Sequence, residues 1–405
     1  MSGSETLRSV GHGASEDDGL TGRRPLRLAF VTAYDASDPA GWAGVALHMS
    51  RALEAQGILL EYIGPLSERR PLRAALKQRV YRLAGRRYMR DRDPGTVRSY
   101  ARQVADRLAT VSVDAVLSPG TLPVAYLECA APIVVWTDAT FHGLAGFYPE
   151  YARLCRETER GGHAAERAAL DRCALAIYTS EWAARTAIGG YGADPARVRV
   201  VPFGANLAAE PREPDVANGI RARRFDECRL LFLGRDWERK GGPAALAVAE
   251  ALNRRGVKAR LLIVGCTPRL GPLSAARCEV VGPLDTGSAE GHARFAEILR
   301  DSHFLILPTL ADCTPHAVAE ANAFGVPCLA TAVGGLPTVV RDGLNGTLFP
   351  AGTAPEAWCD LVVRTLANKD HYESLALSSY AQYRTRLNWR SATENVRSLI
   401  EGVLG

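Results

Sequence analysis

The chain has 405 residues, 47% of them apolar, with 49 Lys and Arg against 44 Asp and Glu for a net charge of +5. That length can bury two cores of ordinary size, and so small an excess of charge argues against wholesale nucleic-acid binding. Nine cysteines with no C-x-x-C pair and no paired histidines argue against zinc and read as reduced, mostly buried thiols of a cytoplasmic protein.

Residues 1–26 are polar and lack the apolar stretch of a signal peptide, and no run of about 18 apolar residues marks a membrane span; this segment reads as a disordered tail. From there short apolar runs alternate with helical patterns: Leu28 to Thr32, a helix from Gly44 to Gln56, Leu59 to Gly64, Asp114 to Leu117, Ile133 to Trp136, Ala174 to Thr179 and Val198 to Val201. Such alternation predicts an α/β fold, a parallel sheet covered by helices, over 27–207. Ala208 to Gly219 is polar with two prolines and reads as a linker within 208–226. The pattern restarts at Leu230 to Leu233, Leu261 to Val264, Glu279 to Val281, Phe304 to Leu307 and Pro327 to Ala330. A second Rossmann-like unit over 227–378 follows, facing the first across a cleft. His371 to Leu404 is helical in composition, and 379–405 reads as a terminal helix.

Several loops between these elements carry chemistry. After the first strand, Gly41 and Gly44 either let backbone approach a phosphate or simply mark a helix entry; the loop is not a G-x-G-x-x-G fingerprint, which disfavours a bound dinucleotide. Residues 69–92 hold ten Arg or Lys against one Asp, either a solvated basic helix or a surface for an anionic bilayer or phosphorylated ligand. The one D-x-D, at Asp91 and Asp93, sits inside this basic run and is not read as a metal site. Beyond the fourth strand, WTDATFHG aims Thr137, Asp138 and His142 at the cleft. Asp138 and His142 can each orient a hydroxyl or take its proton, while a turn-forming Asp is the plainer alternative.

In the second half, LLFLGRDWERKGG places Gly234, Arg235 and Lys240 after a buried strand, where open α/β sheets bind ligands and where these cations suit phosphate. Further on, Asp312 and Glu320 stand either side of a helix start near Pro315. Between them lie the backbone N–H groups of His316, Ala317 and Val318 and the positive end of the helix dipole, an arrangement suited to a diphosphate. A nucleotide-sugar has a matching layout, with hexose hydroxyls for Asp312 and ribose hydroxyls for Glu320. A turn followed by an Ala-rich core helix with two solvated acids is the alternative for this segment taken alone.

Together these segments resemble the retaining nucleotide-sugar glycosyltransferases of glycosyltransferase family 4, which have the GT-B fold. The likeness rests on Gly234, Arg235, Lys240, Gly241, Asp312, Glu320, Ala321, Gly325, Pro327, Gly334, Gly335, Gly343 and Gly346, and is close from Leu230 to Phe349. It implies two Rossmann-like domains with a terminal helix crossing back to the first. It also implies an Arg and a Lys on the donor diphosphate, a first acid on the donor sugar, and the loop of Gly41 and Gly44 closing over the phosphates. By the same resemblance, a sugar passes from UDP or GDP to an acceptor hydroxyl by front-face attack, without a cofactor or protein-bound metal. The chain departs from the family at Asp312, where Glu is usual, and in Cys313, Thr314, Pro315 and His316, where a Gly-rich turn is usual. A nucleotide-sugar epimerase, a phosphorylase and a noncatalytic sugar-nucleotide-binding relative share the fold and remain open. The basic segment 69–92 would suit a lipid-linked acceptor at the inner membrane face.

Overall fold

A computed structural model of the chain describes residues 24–39, 41–68 and 72–405. Most of the N-terminal tail and residues 69–71 of the basic segment therefore lie outside the described residues.

The first half forms β1 (Arg27–Val31), β2 (Leu59–Ile63), β3 (Ala115–Ser118), β4 (Ile133–Thr137), β5 (Leu175–Tyr178) and β6 (Val198–Val200), in the order β2-β1-β3-β4-β5-β6. The second forms β7 (Cys228–Leu233), β8 (Ala259–Val264), β9 (Cys278–Gly282), β10 (Phe304–Leu307), β11 (Cys328–Thr331) and β12 (Gly346–Phe349), in the order β12-β11-β10-β7-β8-β9. Every pairing in both sheets is parallel. Crossover helices cover both faces of such sheets, so strands like IVVWT of β4 and FLIL of β10 are buried along their whole length and read as continuous apolar runs.

Two segments differ from the sequence expectation. The polar stretch 208–219 contains most of a helix, Glu213–Ala222, which buries Val216 and Ile220 against the second core. Proline in its first turn is compatible with helix, and only two apolar positions four apart betray the buried face. The C-terminal stretch is two helices rather than one. Lys369–Arg386 stays with the second half, packed on the helix His316–Ala323. The chain then breaks at Asn388, whose side chain accepts the Ser391 amide at 2.8 Å as a helix cap. The crossing helix is therefore Trp389–Leu404, and it lays Trp389, Ala392, Val396 and Ile400 into the core that holds Phe30, Leu53 and Trp136.

Because both sheets are parallel, their loops gather at the carboxyl edges, the usual ligand edge of open α/β sheets. The loops after β1 and β4 meet those after β7 and β10 there.

Candidate active site

The loop after β7 is folded tightly against the loop after β10. Gly241 has φ +78° and leaves no room for a side chain, since a Cβ would stand 1.9 Å from the Pro308 carbonyl oxygen. The Leu310 amide and the Thr309 hydroxyl donate to the Arg239 carbonyl at 2.8 and 3.0 Å, and the Arg239 guanidinium returns a bond to the Ala311 carbonyl at 2.6 Å. This stitching brings Lys240 Nζ to 2.5 Å from Asp312 Oδ2, with Arg239 Nη1 at 3.8 Å. The ion pair is nearly sealed, its side chains 12% and 7% exposed. Arg235 is exposed and makes no ion pair among the described residues. Sequence reasoning paired Arg235 with Lys240 and missed Arg239, whose guanidinium also lies 4.9 Å above the Tyr148 ring.

Gly334 and Gly335 let β11's loop lie directly on this one. A Cβ on Gly335 would stand 1.5 Å from the Cys313 carbonyl oxygen, and the Gly335 amide donates to the Asp312 carbonyl at 3.1 Å. The helix His316–Ala323 starts as expected between Asp312 and Glu320. Its N-terminus is less open than expected, however. The Val318 amide is already spent on the Pro315 carbonyl at 3.2 Å, which leaves the amides of His316 and Ala317 for a ligand. The His316 ring lies parallel to Phe203 with centroids 5.9 Å apart, and its Nδ1 is 3.0 Å from the Gly204 carbonyl oxygen. A carbonyl only accepts, so Nδ1 carries the proton; burial pushes the imidazole pKa down and keeps it neutral. Burial likewise raises the Glu320 carboxyl to about 7, opposed by the Lys240 charge and a hydrogen bond from the Asn206 amide.

The first half supplies the opposite wall. Asp138 follows β4, and burial foremost pushes its carboxyl up to about 6, the charge of Asp312 across the cleft adding to the effect while the nearby Trp42 side chain opposes it. Trp42 was not singled out by sequence. It and Ala43 adopt left-handed φ of 45° and 54°, followed by Gly44 at 76°. Two successive non-glycine residues in that region are strained, and the turn is held by the Asn206 side chain donating to the Ala43 carbonyl at 2.8 Å. The Gly41 amide is engaged internally with the Asp38 carbonyl at 3.1 Å.

His142 is not brought to this cleft. It is exposed on a one-turn helix, Phe141–Leu144, with its ring toward Tyr191 and His163 and against Gly190. The turn that buries Phe141 and Gly143 rotates the residue between them outward. Tyr148, a few residues later, does reach across: its hydroxyl accepts the Cys313 amide at 2.8 Å. Thr179 and Thr314 also meet across the cleft, at 2.5 Å between hydroxyls.

A cavity of about 780 Å³ opens on the first-half side, lined among others by Tyr34, Trp42, Glu68, Arg92, Asp138 and Glu166. The D-x-D acids have structural duties: Asp93 caps the helix Pro94–Leu108 and Asp91 pairs with Arg92 at 3.6 Å. Among the described residues no three His, Cys, Asp or Glu side chains stand together as a metal-ligand set, no helix is long and apolar enough to cross a membrane, and all nine cysteines are free, Cys129 alone being exposed.

Residues 40–209 match the model of "Glycosyltransferase Family 4" and residues 227–368 that of "Glycosyl transferases group 1". D-inositol 3-phosphate glycosyltransferases of Mycobacterium tuberculosis and Segniliparus rotundus are each 27% identical to the chain, over 255 and 213 residues, or 59% and 51% of it. The chain spans about half the length of these relatives, 51% and 47%. Among solved structures, a sucrose-phosphate synthase from Thermosynechococcus elongatus aligns with TM-score 0.67 at 18% identity, over 93% of this chain and 99% of its own. Anabaena HepE in complex with UDP aligns with TM-score 0.60 at 14% identity, over 93% and 100%.

Proposed function

Because the chain is built as a GT-B glycosyltransferase resembling family 4 in both of its halves, we propose that it transfers a sugar from a nucleoside diphosphate to an acceptor hydroxyl with retention at the anomeric carbon. The observation that carries this reading is the first-half cavity reaching Asp138, which faces Asp312 across the cleft. An acceptor in the cavity meets a donor on the opposite wall there. An epimerase, which rearranges its donor alone, has no use for a second cavity.

In the transfer, the acceptor oxygen bonds to the anomeric carbon as that carbon's bond to the β-phosphate oxygen breaks. The diphosphate leaves with the electron pair, and the hydroxyl proton passes to a diphosphate oxygen while Asp138 orients the hydroxyl. Charge growing on the diphosphate falls to Arg235, Lys240 and the amides of His316 and Ala317, the role a metal fills elsewhere. Asp312 then exchanges part of its pairing with Lys240 for sugar hydroxyls, and Glu320 takes the ribose. UDP is the first carrier to test, since HepE was solved with UDP and with UDP and glucose. The helix Leu72–Leu83 adds a peripheral contact with an anionic bilayer. Leu76, Val80 and Leu83 are 64%, 54% and 82% exposed on one face, with Arg79 and Arg82 exposed beside them.

Incubating the protein with UDP- and GDP-sugars, with and without a hydroxyl acceptor, tests the reading. Acceptor-dependent release of nucleoside diphosphate with a glycoside product supports it. Isomerised donor in the absence of acceptor, or tight donor binding with no turnover on any acceptor, would sink it.

A further inference from the structure

The cavity beside Asp138 has a charge of its own that the transfer chemistry does not require. Among the described residues its charged lining is Glu68, Asp91, Glu166 and Asp138 against one cation, Arg92, with the hydroxyls of Tyr34, Tyr100, Tyr151, Ser118 and Thr121 around them. Arg92 is engaged in part, its Nε being buried without a hydrogen bond. Its Nε lies 3.6 Å from Asp91, its Nη2 donates to the Tyr151 hydroxyl at 3.3 Å, and the guanidinium stacks 5.2 Å over the Phe141 ring.

Glu166 is the second observation. It is 2% exposed, deep in the wall, and while Oε2 accepts the Thr121 hydroxyl at 2.7 Å, Oε1 finds no hydrogen bond although the Phe141 amide lies beside the carboxylate. A buried carboxylate with an idle oxygen is costly unless a donor or counter-ion fills the gap. The Tyr34 hydroxyl is also buried without a partner on the same wall. Burial holds the Glu166 carboxyl above its ordinary pKa while the cavity is empty, which an arriving cation reverses.

Resting on the transferase reading, we propose that the acceptor is a polyhydroxylated ring carrying a protonated amine, an amino sugar or aminocyclitol, with its ammonium on the free oxygen of Glu166 and its hydroxyls on the tyrosines. A neutral ring leaves Glu166 with no positive charge beyond that of Arg92. A phosphorylated ring sets like charge against four carboxylates and finds, among the described residues, only the partly engaged Arg92. The acceptor class thus differs from the one in the names of the inositol 3-phosphate relatives.

The test uses the full chain and six probes in two matched sets: scyllo-inosamine, scyllo-inositol and an inositol phosphate; glucosamine, glucose and a glucose phosphate. Affinity is read by competition-detected NMR in the presence of UDP or GDP. In at least one set the amine binds about tenfold or more tightly than the neutral ring, and the phosphate binds more weakly than both. Glu166→Gln brings amine and neutral ring within about twofold while nucleotide binding is unchanged. Should that variant fail to fold, Glu68→Gln at the exposed rim lowers the amine preference about threefold. A phosphate that outbinds its amine, an amine no better than its neutral ring in both sets, or six silent probes on a protein that binds nucleoside diphosphate overturns the proposal. A wild-type protein that binds neither UDP nor GDP removes the transferase reading instead.

Discussion

Arg235 and Lys240 share one loop and one proposed task, but their surroundings set them apart. Lys240 is sealed against Asp312 at 2.5 Å, whereas Arg235 is exposed and forms no ion pair among the described residues. Lys240→Ala leaves a buried carboxylate with only Arg239 at 3.8 Å, a loss of about 3 kcal/mol on top of its effect on transfer. Arg235→Ala removes no ion pair among the described residues and costs no more than about 0.5 kcal/mol. Each variant lowers kcat by roughly 100-fold if the cation stabilises the departing diphosphate. Thermal unfolding beside turnover separates the two, and full activity in the double variant removes both from the mechanism. Asp138 sets the pH dependence. Its carboxyl, raised to about 6, must be ionised to accept the acceptor hydroxyl, so kcat/KM rises with pH through about 6 and levels above it. Trp42→Phe removes a hydrogen bond that favours the ionised form and moves this limb to higher pH; Asp138→Asn abolishes the limb. A limb unchanged in Trp42→Phe would detach Trp42 from the site. Stability runs the other way. Asp138 and Glu320 both have folded pKa values above their unfolded ones, so between about pH 4 and 7 the folded state binds more protons than the unfolded. Their contribution therefore weakens as pH rises, and Glu320→Gln flattens the fall of Tm with pH in the ligand-free protein.

Elements were legible where burial leaves one kind of signal. Strands such as LLIV in β8 and CLAT in β11 are covered on both faces, so their apolar runs are visible in the sequence, and the polar residue ending each run marks the ligand edge. That reasoning led to Lys240, Asp312, Glu320 and Asp138. It could not decide how a short element is rotated. His142 and Asp138 are four residues apart after one strand, yet the turn Phe141–Leu144 sends the imidazole outward. Nor could it find residues recruited from remote elements. Trp42 belongs to a strained turn after β1, and Glu166 to the charge-rich helix Arg156–Arg172; only folding brings both to one wall. The helix Leu72–Leu83 carries its own prediction. With Leu76, Val80 and Leu83 exposed beside Arg79 and Arg82, the protein sediments with vesicles containing anionic lipid, and does so less as salt rises. Leu76→Glu combined with Leu83→Glu abolishes sedimentation without lowering transfer to a soluble acceptor. Equal sedimentation of the variant would show the stripe to be idle.

At the scale of the molecule, the chain passes between halves twice, and the two passages lie against each other. The Ala205 amide donates to the Leu387 carbonyl at 3.1 Å, and a Cβ on Gly204 would stand 2.1 Å from the Trp389 nitrogen. This side of the cleft is tightly packed. The opposite side is a latch of Tyr148 on the Cys313 amide and Thr179 on Thr314, both partners being neighbours of Asp312. This contact ties the two halves together beside the proposed chemistry, because the amide that Tyr148 satisfies belongs to the residue next to Asp312, the acid proposed to hold the donor sugar. Closure that excludes water protects an activated donor from hydrolysis. Tyr148→Phe deletes one hydroxyl, leaves the Cys313 amide without its acceptor, and leaves Thr179 on Thr314 to hold the Asp312 loop to the opposite half. The expected result is a higher ratio of donor hydrolysis to transfer. UDP or GDP at a hundredfold excess over its Kd still adds roughly 2.7 kcal/mol of stability in the variant as in the wild type, since Arg235, Lys240 and the His316 and Ala317 amides lie in the second half. A variant with an unchanged ratio would make Tyr148 a packing residue. One that loses nucleotide stabilisation as well would mean that the donor is held by both halves together rather than by one.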